Sequence, residues 1–335
     1  MLKAYANICR SMNTPSGFAF FIDDKVNAQF KKILDEWGRF LSSPKSLACL
    51  GTDAEGWFSE ECKGAMVTAA THSSDSPSTF ADNFVCDQQA EHHGYKSWDD
   101  FFTREFREGV RPVAAPDDDR VIVSACESCP YRITRNIVER DKFWVKGQPY
   151  SLVDMVNGDD LYEKFVGGTI YQAFLSALSY HRWHAPVSGT IKKTFLVPGT
   201  YFSEPLSRGF DNPEGPDPSA PTLSQSYISA VATRAVMFIE ADNPDIGLMC
   251  MIAIGMAEVS TCDMTVKEGQ HVKKGDQMGI FHFGGSTHCL IFRPETKIVW
   301  HDEWFTQEEP FLKDNPQQKN IPVKSLLAVV DGTKQ

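Results

Sequence analysis

The sequence is short of positive charge. Its 335 residues carry 33 lysines and arginines against 44 aspartates and glutamates, a formal net charge of −11. Proteins that bind nucleic acid or an anionic membrane surface present a face rich in lysine and arginine. The charge balance therefore argues against both kinds of partner and leaves small cationic or zwitterionic molecules as ligands.

Long apolar runs are also missing. The longest, Ile246 to Ala257, is interrupted by two glycines and falls short of the roughly 20 residues that cross a bilayer. The N-terminal sequence MLKAYANICR lacks an apolar stretch of the kind found in secretory signals. We therefore expect no integral membrane anchor.

The cysteines do not form a disulfide framework. There are nine of them, an odd number with no regular spacing, which is typical of a protein from a reducing compartment. Cys126 and Cys129 have CxxC spacing, but no second such pair accompanies them, so the pattern does not predict a metal site. We expect a cytoplasmic protein without a bound metal.

The first part of the chain carries a helical pattern. From Asp24 onward apolar residues recur at helical spacing, with charged residues between them. Asp23 or Asp24 can cap the start of this helix, and Ser42-Ser43-Pro44 ends it. Residues 45–95 predict short helices and loops. We expect residues 1–95 to form a helical N-terminal region.

From about Arg120 the sequence changes to β-strand character. Short segments rich in β-branched and aromatic residues are separated by Gly, Pro and Asn/Asp turns. Two glycine-bearing segments, 184–199 and 266–279, resemble pieces of the barrel-sandwich arrangement of biotinyl and lipoyl carrier domains. The predicted fold class is α+β, with the helical region followed by a β-rich, barrel-sandwich-like catalytic domain over residues 96–335.

A proline-rich stretch interrupts the strands. Residues 204–225 contain five prolines and two glycines. The stretch is either a disordered insertion or a lid over an active site.

A short Gly-Gly-Ser-Thr motif is informative because two other motifs accompany it. Gly284-Gly285-Ser286-Thr287 between two apolar segments predicts, by itself, a hairpin corner. Two further stretches, residues 98–112 with Trp98-Asp99-Asp100-Phe101-Phe102-Thr103-Arg104 and residues 180–189 with Tyr180-His181-Arg182-Trp183-His184, precede it. In this order and at these intervals the three resemble the signatures of the phosphatidylserine decarboxylase superfamily.

The resemblance implies an enzyme that makes its own cofactor. Members of this superfamily cut themselves at the Gly-Ser-Thr tract, which here lies between Gly285 and Ser286. The Ser286 hydroxyl attacks the Gly285 carbonyl, and elimination releases residues 1–285, the β chain. A pyruvoyl group is left at the start of residues 286–335, the α chain, and the two chains stay associated. Neither pyridoxal phosphate nor a metal is then required.

The resemblance also implies roles for three other residues. His184 is the base that activates Ser286, because a serine hydroxyl is a poor nucleophile until its proton is removed. Glu127 occupies the place of the family's orienting aspartate. His181 is the acid that reprotonates the carbanion after carbon dioxide leaves, although Ser179 stands where many members have an aspartate two residues earlier.

Three arginines are candidates for binding the substrate. Arg104, Arg111 and Arg182 could each pair with a substrate carboxylate, as guanidinium groups commonly do. Salt bridges to acidic neighbours such as Asp99 explain them equally well.

The N-terminal region indicates a branch of the superfamily. The Glu127 variant and several other tracts are similar to the fungal tryptophan decarboxylases. These tracts cover residues 11–17, 30–43, 198–202, 237–243, 258–262 and 281–286. The branch implies that a free L-amino acid, tryptophan or another aromatic one, condenses with the pyruvoyl group as a Schiff base and is decarboxylated.

Rival interpretations remain open from the sequence. The same residues could decarboxylate phosphatidylserine to phosphatidylethanolamine at a membrane surface. A non-enzymatic barrel-sandwich binding module would use the glycine-rich corners for structure alone. A processed but inactive relative would keep Ser286 and lose substrate binding.

Overall fold

The computed structural model describes residues 8, 11–12, 14–70, 78–140, 150–206, 224–258, 261–305 and 320–332. Helices dominate the first part of the chain, and strands dominate the rest. The helices are α1 (Pro15–Phe21), α2 (Asp24–Leu41), α3 (Glu60–Ala70), α4 (Phe80–Asn83), α5 (Trp98–Phe102), α6 (Leu152–Met155) and α7 (Gln225–Val231), with 3₁₀ turns at Pro44–Cys49, Glu91–Gly94 and Asp160–Phe165.

Helix α2 begins and ends where the sequence predicts. The Asp23 side chain accepts hydrogen bonds from the backbone N–H groups of Lys25 and Val26, at 2.9 and 3.1 Å. These bonds satisfy two N–H groups that have no partner inside the helix. Ser42 is the C-cap, directly before Ser43 and Pro44.

The strands form one large sheet and two small ones. The strands are β1 (Val121–Val123), β2 (Cys129–Arg135), β3 (Thr169–Leu175), β4 (Arg182–His184), β5 (Gly189–Val197), β6 (Arg234–Ala241), β7 (Leu248–Gly255), β8 (Thr261–Met264), β9 (His271–Val272), β10 (Gln277–His282), β11 (Ser286–Phe292), β12 (Ile298–Trp300) and β13 (Leu326–Val330). The seven-stranded sheet has the order β2-β3-β11-β7-β6-β5-β9, and the three-stranded sheets have the orders β4-β10-β8 and β1-β13-β12. The predicted α+β class is confirmed.

Strand β11 lies inside the large sheet, paired along its whole length on both sides. It is antiparallel to β3 on one side and to β7 on the other. Ser286 is its first residue and lies opposite Leu175 of β3 and Gly255 of β7. The residue expected to form the cofactor therefore starts a buried, doubly paired strand.

The helical region packs directly against the β-rich part. One buried apolar cluster combines Leu41 and Phe58 with Tyr180, Phe283 and Val323. Burial of shared apolar surface joins the two parts through a common core. The boundary at residue 95 stays a prediction.

Some expectations fall on parts of the chain that the structure does not describe. Most of the proline-rich stretch, residues 207–223, lies outside the described residues. Within the described ranges, no helix combines the length and the apolar character needed to cross a membrane.

Candidate active site

Ser286 lies at a buried corner of the chain, which is formed by Gly284, Gly285 and Ser286. Its side chain is fully buried, and its Oγ has no hydrogen-bond partner among the described residues. Two glycines precede it, and Gly284 has a φ of +95°, a conformation that favours glycine. The hydroxyl predicted to attack the backbone is thus free of competing bonds in the described part of the chain.

The turn after β7 covers the two glycines. A Cβ atom added at Gly285 would lie 2.8 Å from Met256 Cε, and one added at Gly284 would lie 2.7 Å from Glu258 Oε1. Both distances are too short for ordinary contact between side chains. At Gly284 the positive φ also favours glycine, whereas at Gly285 the Met256 side chain would have to shift to admit a Cβ. Glu258 is a neighbour of the corner that the sequence analysis did not consider.

His181 also lies at this corner. Its ring is fully buried and stacks on Phe102, with 4.1 Å between the ring centroids. Neither ring nitrogen makes a hydrogen bond of good geometry within the described residues, although the backbone groups of Gly284 and Ser179 are near enough to favour the charged form slightly. Burial, helped by the positive charge of Arg104, lowers the His181 pKa to about 3. The imidazole is therefore neutral at pH 7.

His184 is held by two hydrogen bonds. Its Nδ1 lies 2.9 Å from the carbonyl oxygen of Gly275, and its Nε2 lies 3.0 Å from the hydroxyl of Tyr180. Because a carbonyl can only accept, the ring carries its proton on Nδ1, and Nε2 accepts from Tyr180. Burial is the main cause that lowers the His184 pKa to about 3, with Lys324 contributing.

Glu127 binds an arginine. Its two carboxylate oxygens accept from Arg111 Nε at 2.9 Å and from Arg111 Nη2 at 2.6 Å. The backbone N–H of Val323 donates to it at 2.8 Å. Its described hydrogen bonds thus do not include the ring of His184, whose Nδ1 proton goes to a backbone carbonyl.

The other two arginines have protein partners. Arg104 is buried, donates from Nη2 to the carbonyl oxygen of Leu178 at 2.7 Å, and lies 4.5 Å from the centroid of the Phe84 ring. Arg182 donates to the Thr103 carbonyl oxygen at 2.8 Å and pairs with Glu105 at 3.2 Å. The structure thus accounts for each arginine without a substrate carboxylate.

A cavity adjoins the corner on its outer side. Its volume is about 340 Å³, and it lies between α2 and the segment 282–283. At its wall His282 Nδ1 contacts Asp99 Oδ1 at 2.8 Å, and Ser42 Oγ donates to the same carboxylate at 3.3 Å. The lining residues are Leu34, Asp35, Gly38, Arg39, Ser42, Asp99, Thr261, His282 and Phe283. A pocket of this size with both charges and an aromatic ring suits a small zwitterionic molecule.

A second cavity, of about 400 Å³, opens beside His184 and Tyr180. Arg111 and Lys324 also line it. The two histidines of the predicted site therefore lie in different surroundings, His181 at the Ser286 corner and His184 beside this second cavity.

The sequence analysis also passed over His288. It follows Ser286 by two residues on β11, so both side chains project from the same face of the sheet. The ring is fully buried, neither nitrogen has a partner among the described residues, and burial lowers its pKa to about 3. The chain around it gives no pattern that distinguishes such a histidine from an ordinary core residue.

Comparison with known proteins identifies the family. A family model described as phosphatidylserine decarboxylase matches residues 98–309, and a second model of that description matches residues 3–66. The decarboxylase iboD of Amanita muscaria is 48% identical over 328 residues, which cover 95% of this chain and 88% of that protein.

Two further relatives extend the comparison. The L-tryptophan decarboxylase of Psilocybe cyanescens is 44% identical over 303 residues, which cover 88% of this chain and 68% of that protein. The phosphatidylserine decarboxylase proenzyme 3 of Schizosaccharomyces pombe is 30% identical over 203 residues, or 60% of this chain and 19% of that protein. The chain belongs to the phosphatidylserine decarboxylase family, with fungal tryptophan decarboxylases among its most similar relatives, and it is a carboxy-lyase.

Proposed function

We propose that this decarboxylase cuts its own chain between Gly285 and Ser286 and then decarboxylates a free L-amino acid, with tryptophan or another aromatic amino acid favoured. One observation carries the proposal. The Ser286 hydroxyl is buried, has no partner among the described residues, and directly follows the two glycines at the start of β11.

The geometry suits attack on the preceding carbonyl. Residues 286–292 are fixed by pairing on both sides, whereas residues 283–285 lie outside the described strands. The attack requires the Gly285 carbonyl to turn toward Oγ while the pairing of β11 holds the serine in place. Attack converts the Gly285–Ser286 amide to an ester, and elimination across Cα and Cβ of Ser286 releases the Gly285 carboxylate. The dehydroalanine left at position 286 then takes up one water molecule and loses ammonia, which gives the pyruvoyl group.

The corner fits the prosthetic group that the family uses. The group would be built from Ser286 itself, so no separate binding pocket is needed, and the buried position excludes bulk water from the new carbonyl. A pyruvoyl group supplies a ketone that condenses with the substrate amine and accepts the electron pair released with carbon dioxide.

We assign the activation of Ser286 to His184. The motif carries this assignment, and two features of the ring support it. The imidazole is neutral, which is the form that accepts a proton, and its Nδ1–H is fixed by Gly275, so Nε2 is the basic nitrogen. The Tyr180 hydroxyl, which donates to Nε2, has to turn away before this nitrogen can take a proton from Ser286. Glu127, expected to orient this ring, would act on it through the local structure it stabilises with Arg111 and Val323.

We assign the return of a proton to the substrate carbon to His181. Its two ring nitrogens have no good partners in the described part of the chain, and the ring lies next to Gly284. Stacking on Phe102 holds the plane of the ring. An N–H group beside Gly284, two residues before Ser286, suits this step.

The choice of a free amino acid rests on the relatives and the cavity. The name of the Psilocybe cyanescens relative specifies L-tryptophan, whereas that of the Amanita muscaria relative specifies no substrate. The 340 Å³ cavity beside the corner is lined by the Phe283 ring and by the exposed guanidinium of Arg39, which suits a substrate carboxylate. These features favour a compact zwitterion.

The test is an intact mass measurement of the purified protein. We expect two fragments, residues 1–285 and 286–335, with a pyruvoyl group at the start of the shorter one. The cleaved protein is then given L-amino acids, aromatic ones first, and phosphatidylserine vesicles in a parallel assay. A folded but uncut chain overturns the proposal, and turnover of the vesicles alone replaces the amino acid with the phospholipid.

A further inference from the structure

Glu258 is a carboxyl group at the corner with no role assigned so far. We propose, on the basis of the proposed function, that Glu258 receives the ammonium group of the substrate and removes one proton from it. The N–H bond breaks, an O–H bond forms on the carboxyl, and the electron pair stays on the nitrogen. The amine is then a nucleophile for the carbonyl at position 286.

The strand register brings Glu258 to this place. Gly255 ends β7 and lies directly opposite Ser286, so the chain leaves the sheet beside the corner. The following turn passes through Ala257, whose φ is +52°. This turn points Met256 at Gly285 and Glu258 at Gly284.

The carboxyl group of Glu258 lies close to Gly284, and it forms no salt bridge with the described residues. Glu258 Oε1 lies only 2.7 Å from where a Cβ on Gly284 would stand. Its Oε2 is buried and has no hydrogen-bond partner among the described residues. Burial raises the Glu258 pKa, so the group holds a proton more readily than an exposed glutamate.

The buried Oε2 atom of Glu258 calls for an explanation, because leaving a buried carboxylate oxygen without a partner is unfavourable. Other acids near the site are paired: Glu127 binds Arg111, and Asp99 contacts His282. A substrate ammonium group would supply the missing partner of Glu258. The neutral ring of His181 carries no charge to attract a cation.

Cleavage would open the way to this carboxyl. Before cleavage, Gly284 lies so close to Glu258 that a Cβ on it would stand 2.7 Å from Oε1. Once the bond to Ser286 is cut, the segment that carries Gly284 is attached at one end only. A substrate amine can then lie between Glu258 and position 286.

The experiment compares wild type with Glu258→Gln, Glu258→Asp and the control Glu240→Gln, which changes an exposed glutamate on β6. Intact mass gives the cleaved fraction of each protein. Each is then incubated with L-tryptophan and cyanoborohydride, and the rate of mass gain on the short fragment is measured. We expect full cleavage of all four and trapping about 100-fold slower for Glu258→Gln, within the usual range for a lost acid–base group.

A second probe separates proton removal from general damage. Phenylhydrazine is already uncharged at pH 7 and needs no base, so it should label wild type and Glu258→Gln at equal rates. Glu258→Asp should recover part of the L-tryptophan trapping. Equal L-tryptophan trapping by wild type and Glu258→Gln overturns the inference, as does parallel loss of labelling by both probes or failure of Glu258→Gln to cleave. A wild-type protein that is not cut, or that traps no L-tryptophan, overturns the proposed function instead.

Discussion

His184 Nδ1 lies 2.9 Å from the carbonyl oxygen of Gly275. A backbone carbonyl therefore takes the position at which the sequence predicted the carboxylate of Glu127. It fixes the tautomer as a carboxylate would, but it adds no negative charge beside the ring. Burial, with a contribution from the charge of Lys324, lowers the His184 pKa to about 3, and the Gly275 carbonyl offsets this in part only.

The two histidines should differ in the step they affect. We expect His184→Ala to block or slow cleavage, because Ser286 loses its base, and His181→Ala to cleave but fail to decarboxylate. Intact mass reports the first step, and release of carbon dioxide from L-tryptophan reports the second. Ser286→Ala, which should stay a single chain, is the control.

The opposite pattern would exchange the two roles. If His181→Ala remains one chain while His184→Ala is cut normally, His181 is the base, in keeping with its position beside Gly284. Normal decarboxylation by His181→Ala would remove its assignment as the proton donor.

Loss of Arg111 should destabilise the fold. Arg111→Ala would leave the buried Glu127 carboxylate with the Val323 N–H as its described partner, at a cost of about 3 kcal/mol in the free energy of unfolding. Adding Glu127→Gln should recover part of the loss, because the unpaired charge is gone. Urea unfolding of these variants in the uncut Ser286→Ala background gives the comparison.

Glu127→Gln by itself also tests the orienting role predicted from the sequence. The amide keeps the shape of the carboxylate and can still accept a hydrogen bond from Val323. A large loss of cleavage in a variant of normal stability would support a role at His184. An unchanged cleavage rate would leave Glu127 as a structural partner of Arg111.

The protein should lose stability on mild acidification. His181, His184 and His288 have folded pKa values of about 3, against about 6.5 in an unfolded chain. Between these values the unfolded chain binds protons that the folded chain does not, so stability falls as the pH drops from 6.5 toward 3. Each histidine contributes on the order of 1 kcal/mol per pH unit.

Urea midpoints of Ser286→Ala at pH 7 and pH 5 would measure this effect. Replacing His288 with valine in the same background should make the decrease smaller. An unchanged decrease would show that His288 does not contribute to it.

Gly284 should resist substitution. Gly284→Ala would place a Cβ against Glu258 in a backbone conformation with a φ of +95°, at a cost of roughly 1–2 kcal/mol. We expect lower stability and slower cleavage by gel and intact mass. Gly64→Ala is a suitable control, because a Cβ there meets nothing within 4 Å on α3, and it should be neutral or slightly stabilising.

Local patterns of the sequence predicted the local structure well. The start and end of α2 follow from Asp23 and Ser42, which act on neighbouring backbone groups. Alternation and β-branched residues likewise placed β3, β6 and β7. In these cases the residues that determine the element lie within it or next to it.

The site was harder to predict because its contacts join distant parts of the chain. Glu127 and Arg111 are 16 residues apart, and Glu127 and Val323 are 196 apart. Glu258 reaches the corner through the pairing of β7 with β11, and the burial of His288 depends on that same sheet. A single sequence carries no local signal for either arrangement.

The placement of Ser286 at the start of β11 bears on both the maturation and the thermal inactivation of the enzyme. The residue is flanked by β3 and β7, which would both belong to the other fragment after the proposed cleavage. If the sheet positions Ser286 for the proposed cleavage, the chain must fold before it is cut. The two pieces would then no longer share a covalent link. We expect heat inactivation to be irreversible, so the working lifetime of the enzyme is set by its rate of unfolding.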